Sequence, residues 1–384
     1  MTDFSYARGA AVLTIDLGAV QANWRSLRDR LHGAACGAVL KADAYGLGAA
    51  RIAQALAAAG CRHFVTAHLD EAIALRPHVP AAAEVFVLHG PPPGLAAEFL
   101  AHDLTPVLNS LSQIEAWTTL AREEARRLPA VLQVDTGMSR LGLSPAELVR
   151  LAEEPSRLEG VAVRAVMSHL ACAERPDHPM NAAQLARFAT LRRQLPAAPA
   201  SLAASSGIFL GPDYHFDIVR PGSALYGIAP VAGQPNPLRQ AVRLDAPIQQ
   251  TRRIAAGESV GYGATWHAPA PARIATVPAG YADGYLRSLG NRAHGYVGGI
   301  AVPLVGMVSM DMATFDVSAV PEAALGPDAS IELIGPHQTL DALAQRAGTI
   351  GYEILTSLGS RYQRRYLDAP AAAPTTSSKQ DVFA

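Results

Sequence analysis

At 384 residues the chain exceeds the usual size of a single domain, so two domains are expected. Hydrophobic residues make up 49% and charged residues 17%, and every apolar run stops well short of the ~20 residues a membrane helix needs, so the composition reads as soluble, with no membrane partner. A formal net charge of -1 with interspersed signs gives no electrostatic reason to expect nucleic acid and leaves a small molecule as the expected partner.

In chain order, the opening MTDFSYARG lacks a basic segment followed by an apolar stretch, so no secretory signal is read and a cytoplasmic location is expected. AVLTIDLGAVQANWRSLRDRL reads as a strand entering a helix with Asp16 as cap, and the sequence leaves open which domain owns it. From 36 to 228 short apolar strands alternate with helical periodicity. The strands are expected at 36–41, 63–67, 85–89, 104–108, 130–135, 161–168, 201–205 and 216–220. Helices are expected in RIAQALAAAG, LDEAIALR, SLSQIEAWTTLAREEARR and NAAQLARFATLRRQL. Eight strand and helix pairs suit an α/β fold of the (β/α)8 TIM barrel type, a doubly wound sheet being the main alternative.

Beyond Gly227 the texture changes. PVAGQPNP breaks the chain, and IATVPAGYADGY, AVPLVGMVSMD, ATFDVS and SIELIG then alternate β-like runs with Gly and Pro turns. The expected organisation is a barrel over 10–235, a mostly β domain over 236–368 that the N-terminal residues can join, and a disordered tail over 369–384. Cys36, Cys61 and Cys172 are too few for a disulfide framework and lack metal-ligand spacing, so they are read as small core residues and no metal is expected.

Of the 32 basic residues only Lys41 and Lys379 are lysine, and Lys379 falls in the tail. Arginine replaces lysine wherever a positive charge suffices, but it cannot deprotonate to a nucleophilic amine. A lysine at a strand end is ordinarily a solvated charge. Here its isolation in the body reverses that reading and points to an amine that attacks an aldehyde, as pyridoxal phosphate chemistry requires.

In a TIM barrel the catalytic groups sit at the C-terminal ends of the strands. Lys41, the 135–140 segment with Arg140, His169, Ser205 and Arg220 all fall there. SSG at 205–207 and PGSALYG at 221–227 follow strands seven and eight, where such barrels often bind phosphate. Glycine loops of this kind also occur as ordinary turns. By itself Arg220 reads as either a surface charge or a group reaching a cofactor ring, and His169 as either a structural histidine or a pocket residue.

AVLKADAYGLG around Lys41 resembles the pyridoxal-binding signature of bacterial alanine racemases. VDTGMSRLG, FDIVRPGSALYG, VGYGATW, GYADGY and VGMVSMD match that family's other motifs in order. The resemblance covers nearly the whole chain. It implies pyridoxal 5'-phosphate as cofactor, alanine as substrate, D-alanine supply for peptidoglycan, and a head-to-tail homodimer whose sites each combine one barrel with the partner's β domain. It also implies residue roles. Lys41 would be the Schiff-base lysine and one acid/base group, with Tyr262 of the other subunit the second. Tyr45, Ser205, Gly222 and Ser223 would hold the phosphate, and His169 would flank the ring. Arg220 would face the pyridine nitrogen. Arg140 and the Met310 backbone would meet the substrate carboxylate, with Tyr281 nearby.

Two positions depart from the family's pattern. Gln133 stands where many members carry a carbamylated lysine, and its amide is expected to accept a hydrogen bond from Arg140. The C-terminal tyrosine that touches the phosphate is unmatched, with Ser360 at the corresponding position and Tyr362 two residues on. Competing readings are a serine or broad-specificity racemase, a decarboxylase, for which Arg220 is the wrong group, and a non-catalytic pyridoxal phosphate carrier, which would need neither a second domain nor Tyr262.

Overall fold

The computed structural model describes residues 9–368; the expected tail at 369–384, with Lys379, lies outside the described residues. Strand β1 (Val12–Asp16) leads into helix Leu17–Arg28, and Asp16 caps that helix by accepting the Ala19 N–H at 2.8 Å.

The barrel is built from β2 (Ala35–Cys36), β3 (Ala38–Val39), β4 (His63–Thr66), β5 (Glu84–Val87), β6 (Thr105–Leu108), β7 (Leu128–Gln133), β8 (Val161–Met167), β9 (Ala200–Ser201) and β10 (Ile218–Val219). Strands β3 to β9 pair in chain order, each pair parallel. β2 and β3 are two halves of one strand. β2 pairs with β10 and β3 with β4, and Gly37 between them donates to the Val219 carbonyl at 2.9 Å. A Cβ at Gly37 would press on the carbonyls of His63 and Val219 at 3.1 and 3.2 Å, so the bare Cα lets one strand serve two neighbours. A bridge between Ala204 and Arg220 joins the seventh barrel strand to the eighth and closes the ring.

Side chains alternate across these strands with period two. Val39, Val65, Phe86, Val107, Val131 and Met167 form an inner cluster with a member from each of β3 to β8. Their neighbours Ala38, Phe64, Val85, Leu108 and Leu132 join the larger core beneath the helices. The expected helices appear as Ala49–Ala58, Leu69–Leu75, Leu111–Glu123 and Pro179–Leu191, and two more stand at Ala96–Ala101 and Pro145–Glu153.

The rest of the chain forms β11 (Val242–Pro247), β12 (Gln250–Ile254), β13 (Ser259–Val260), β14 (Trp266–His267), β15 (Ala272–Val277), β16 (His294–Val297), β17 (Ile300–Pro303), β18 (Ala313–Asp316), β19 (Ser330–Ile334) and β20 (Gln363–Leu367), with helices Leu340–Ala347 and Gly351–Ser357. Its largest sheet has the order β17-β16-β19-β11-β1-β20. β1 lies between β11, antiparallel, and β20, parallel, so the opening strand belongs to this sheet and the following helix packs on the barrel. The β-like runs at 280–285 and 305–311 are loops instead, because Gly280, Gly284 and Gly306 bring backbone against backbone there. Among the described residues no helix is long and apolar enough to cross a membrane.

Candidate active site

Lys41 stands two residues beyond β3, where the chain does something unusual. Ala42, Asp43, Ala44 and Tyr45 all take left-handed backbone angles, with φ between 52° and 58°. Left-handed geometry costs an L-residue about 1–2 kcal/mol, so the surroundings must hold this turn. Glu71 does so: its carboxylate accepts the N–H of Ala42 at 2.7 Å and of Ala67 at 2.9 Å. The Ala44 N–H bonds the Leu40 carbonyl at 2.8 Å. Lys41 and Tyr45, at the two ends of this turn, line the same cavity.

That cavity, of about 760 Å³, opens at the C-terminal ends of the strands and gathers Lys41, Tyr45, Arg140, His169, Ser205, Arg220, Gly222 and Ser223. Burial, and then the charge of Arg140, lower the pKa of Lys41, which enlarges its neutral, nucleophilic share at a given pH. Arg220 is buried. It donates to the Ser168 carbonyl at 2.7 Å and to the Ser201 hydroxyl. Burial brings its pKa down to about 10, which leaves it charged at neutral pH. The His169 ring faces the cavity, and burial, then Arg220, Arg140 and Lys41, hold its pKa down to about 3, so the imidazole is neutral. Gln184 fixes this segment, donating to the His169 carbonyl at 2.9 Å and accepting the Ala171 N–H at 2.8 Å.

On the opposite side Ser205 Oγ accepts the N–H of Gly222 at 3.0 Å and of Ala224 at 3.2 Å, which leaves its own hydrogen free to donate. Gly222 packs on Tyr45 so closely that a Cβ would collide with the phenol oxygen. Ser223 Oγ donates to Tyr352 Oη at 2.8 Å. Burial pushes the phenols of Tyr45 and Tyr352 up, keeping them as neutral donors. This cradle leaves the hydroxyl hydrogens of Ser205, Tyr45 and Tyr352 to donate in a cavity lined by three cationic side chains, which suits a bound phosphate.

The sequence reading does not hold at two places. Ser360 and Tyr362 are not in the cavity: Tyr362 is buried elsewhere, its hydroxyl without a partner, in the field of Asp283 and Tyr285. The tyrosine at the cradle is Tyr352, in the first turn of helix Gly351–Ser357. Nor does Gln133 bond Arg140. Both line the cavity, and among the described residues Arg140 makes no hydrogen bond or ion pair. An unpaired guanidinium at the mouth is free to take a carboxylate. The reading also missed Glu71 and His89; His89 lines the cavity with its ring edge-on to His68 at 4.4 Å.

Tyr262, Tyr281 and Met310 lie outside this cavity, on loops of the C-terminal region. Their exposures are 72%, 43% and 54%. Each is a large apolar group left in solvent by the single chain.

Profiles of known families match in two blocks, the alanine racemase N-terminal domain over residues 15–230 and the alanine racemase C-terminal domain over residues 241–366. The alanine racemase of Rhodospirillum rubrum is 54% identical over 360 residues, 94% of this chain and 96% of that protein. A catabolic alanine racemase of Mesorhizobium japonicum is 50% identical over 363 residues, 94% and 95% of the two chains. The crystal structure of alanine racemase from Bartonella henselae with covalently bound pyridoxal phosphate superposes with a TM-score of 0.89 at 43% identity, covering 93% of this chain and 99% of that one.

Proposed function

The chain belongs to the alanine racemase family, and from that premise we propose that it interconverts L- and D-alanine with pyridoxal phosphate on Lys41. The observation that carries this is the convergence, in one cavity, of the only lysine of the described body with a phosphate-type cradle, the buried Arg220 and the unpaired Arg140. When bound, pyridoxal phosphate supplies the aldehyde that takes up the amino acid and the electron-withdrawing ring that acidifies its α-hydrogen.

The chain's own residues divide the remaining work. Tyr45, Ser205, Gly222, Ser223 and Tyr352 would hold the phosphate. Arg220, held by Ser168 and Ser201, would meet the bound cofactor as a cation, and because an arginine does not readily give up its proton, it would favour racemisation over side reactions. Arg140 takes the substrate carboxylate. Racemisation removes the α-proton on one face and returns one on the other, so two bases suffice: the Lys41 amine, its pKa lowered by burial, and the phenol of Tyr262 of the partner subunit.

A homodimer with shared sites accounts for the exposure of Tyr262, Tyr281 and Met310 in the single chain. We place the boundary between barrel and β domain within 231–240, between the two matched blocks. D-alanine for peptidoglycan is the role we assign, in the cytoplasm.

The test is a racemase assay on wild type and Lys41→Ala with alanine and serine, together with borohydride reduction. The wild type should racemise alanine and become irreversibly labelled at Lys41, and the variant should do neither. Full turnover by Lys41→Ala would refute the assignment, and a preference for serine would move it to the broader-specificity reading.

A further inference from the structure

Three features stand outside the cavity: the buried thiols Cys36 and Cys61, the Asp245–Glu332–His337 cluster, and the contact between Arg361 and two loops. The thiols are enclosed and pushed up in pKa by burial, and in the carboxylate cluster Asp245 pairs with Arg243 at 2.6 Å while His337 Nδ1 stands 3.2 Å from Glu332. Only the third reaches residues that bear on the reaction.

Tyr281 lies in the turn Gly280 to Gly284, and Met310 lies in the loop 309–312. The loops are stitched together by backbone: the Tyr281 N–H donates to the Ser309 carbonyl and the Ala282 N–H to the Met310 carbonyl, both at 3.0 Å. They also touch so closely that a Cβ at Gly280 would collide with the Met310 carbonyl. Arg361, just before β20, spans the pair. Its Nε meets Asp283 Oδ1 at 2.7 Å and its Nη1 meets Asp311 Oδ1 at 2.7 Å. Asp283 is itself fixed, its other oxygen accepting the Gly280 N–H at 2.9 Å and its carbonyl the Gly359 N–H at 3.0 Å.

The two arms of this contact differ physically. The Asp283 carboxylate is only 3% exposed, so it needs a counter-charge and the first arm is structural. Asp311 is 54% exposed and Arg361 51%. An ion pair in that setting adds little to stability, so holding the fold together does not explain the second arm. What it does is fix the residue next to Met310 to the turn that bears Tyr281. A guanidinium offers two donor edges at a fixed angle, and an ammonium does not.

We propose that Arg361 is a positioning residue that sets the loop of Met310 against the loop of Tyr281, and so sets the site where the substrate carboxylate is received in the partner subunit. The proposal rests on the dimeric reading given above.

The test compares the holoenzyme of the wild type with Asp311→Ala, which removes the exposed arm and keeps the buried one, and with Arg361→Lys, which keeps the charge and loses the fork. Amide exchange at Tyr281 and Ala282 should quicken in both variants by about tenfold or more. The KM for alanine should rise about five- to tenfold while kcat stays within about twofold, the mark of lost binding shared by ground and transition states. Unchanged exchange in Asp311→Ala overturns the proposal, as do faster exchange with an unchanged KM and wild-type behaviour in Arg361→Lys. If the wild type itself fails to racemise alanine, the functional reading falls alone, and the exchange rates still decide whether Arg361 holds the loops.

Discussion

Two tyrosines ten residues apart provide a controlled comparison, because only one of them stands at the cradle. Tyr352→Phe removes the oxygen that accepts from Ser223 Oγ at 2.8 Å and the hydrogen it leaves free for an anion. Ser223 lines the open cavity, so water can replace its lost partner and the fold should hold. A hydrogen bond to a charged group is worth about 1.5–3 kcal/mol, and at about 1.4 kcal/mol per tenfold the Kd for pyridoxal phosphate should weaken by roughly 10- to 100-fold. Tyr362→Phe makes the same chemical change at a buried phenol whose oxygen has no partner. Deleting an unsatisfied buried hydroxyl should leave Kd alone and hold or raise stability by about 1 kcal/mol. The assay is titration of the apoenzyme with cofactor by absorbance, paired with urea unfolding. A Kd within twofold of wild type for Tyr352→Phe, or a tenfold weakening for Tyr362→Phe, would refute the placement of the cradle.

Tyr262→Phe should fold normally, since the side chain is 72% exposed, yet lose about 10²-fold or more in racemisation; retention of half the activity would remove Tyr262 from the chemistry. His169 has a native pKa of about 3 against an ordinary 6.5, so the unfolded chain binds a proton first as pH falls. Its contribution is therefore fully present above about pH 6.5 and drains away toward pH 3. Urea midpoints near pH 4.5 and 7.5 should differ less in His169→Asn than in wild type, and equal differences would count against the assignment. Gln133 cannot be carbamylated, so added bicarbonate should leave the rate unchanged; stimulation would contradict this.

The barrel was legible because each strand carries one inward and one outward apolar set, as Val65 and Phe64 do on β4, and because Gly and Pro punctuate the alternation. Helix Pro145–Glu153 went unread although its capping box, Ser144 with Glu147, is written plainly in SPAE; the apolar stripe behind it is short. The site was legible where chemistry narrows the choice of residue, as at Lys41. It was not legible at Tyr352, because which face of a short C-terminal helix meets the barrel is decided by packing between segments more than 120 residues apart, as the Ser223 contact shows. Glu71 was legible only in part: its reach back to the amides of Ala67 and His68 is a capping box at the start of its own helix, but its bond to the Ala42 amide joins a different loop and leaves no pattern in the sequence.

The left-handed turn after Lys41 has a bearing on how the chain folds. Four L-residues in that geometry oppose folding by about 4–8 kcal/mol, comparable with the ~5–15 kcal/mol of net stability a whole domain has to spare. No peptide containing Lys41 would therefore adopt it unaided. Its supports are Glu71, on a helix soon after the turn, and, from the far end of the described chain, Arg364, whose guanidinium stands 3.6 Å from the Asp43 carboxylate. The turn that follows the cofactor-bearing amine thus draws together segments from opposite ends of the described chain.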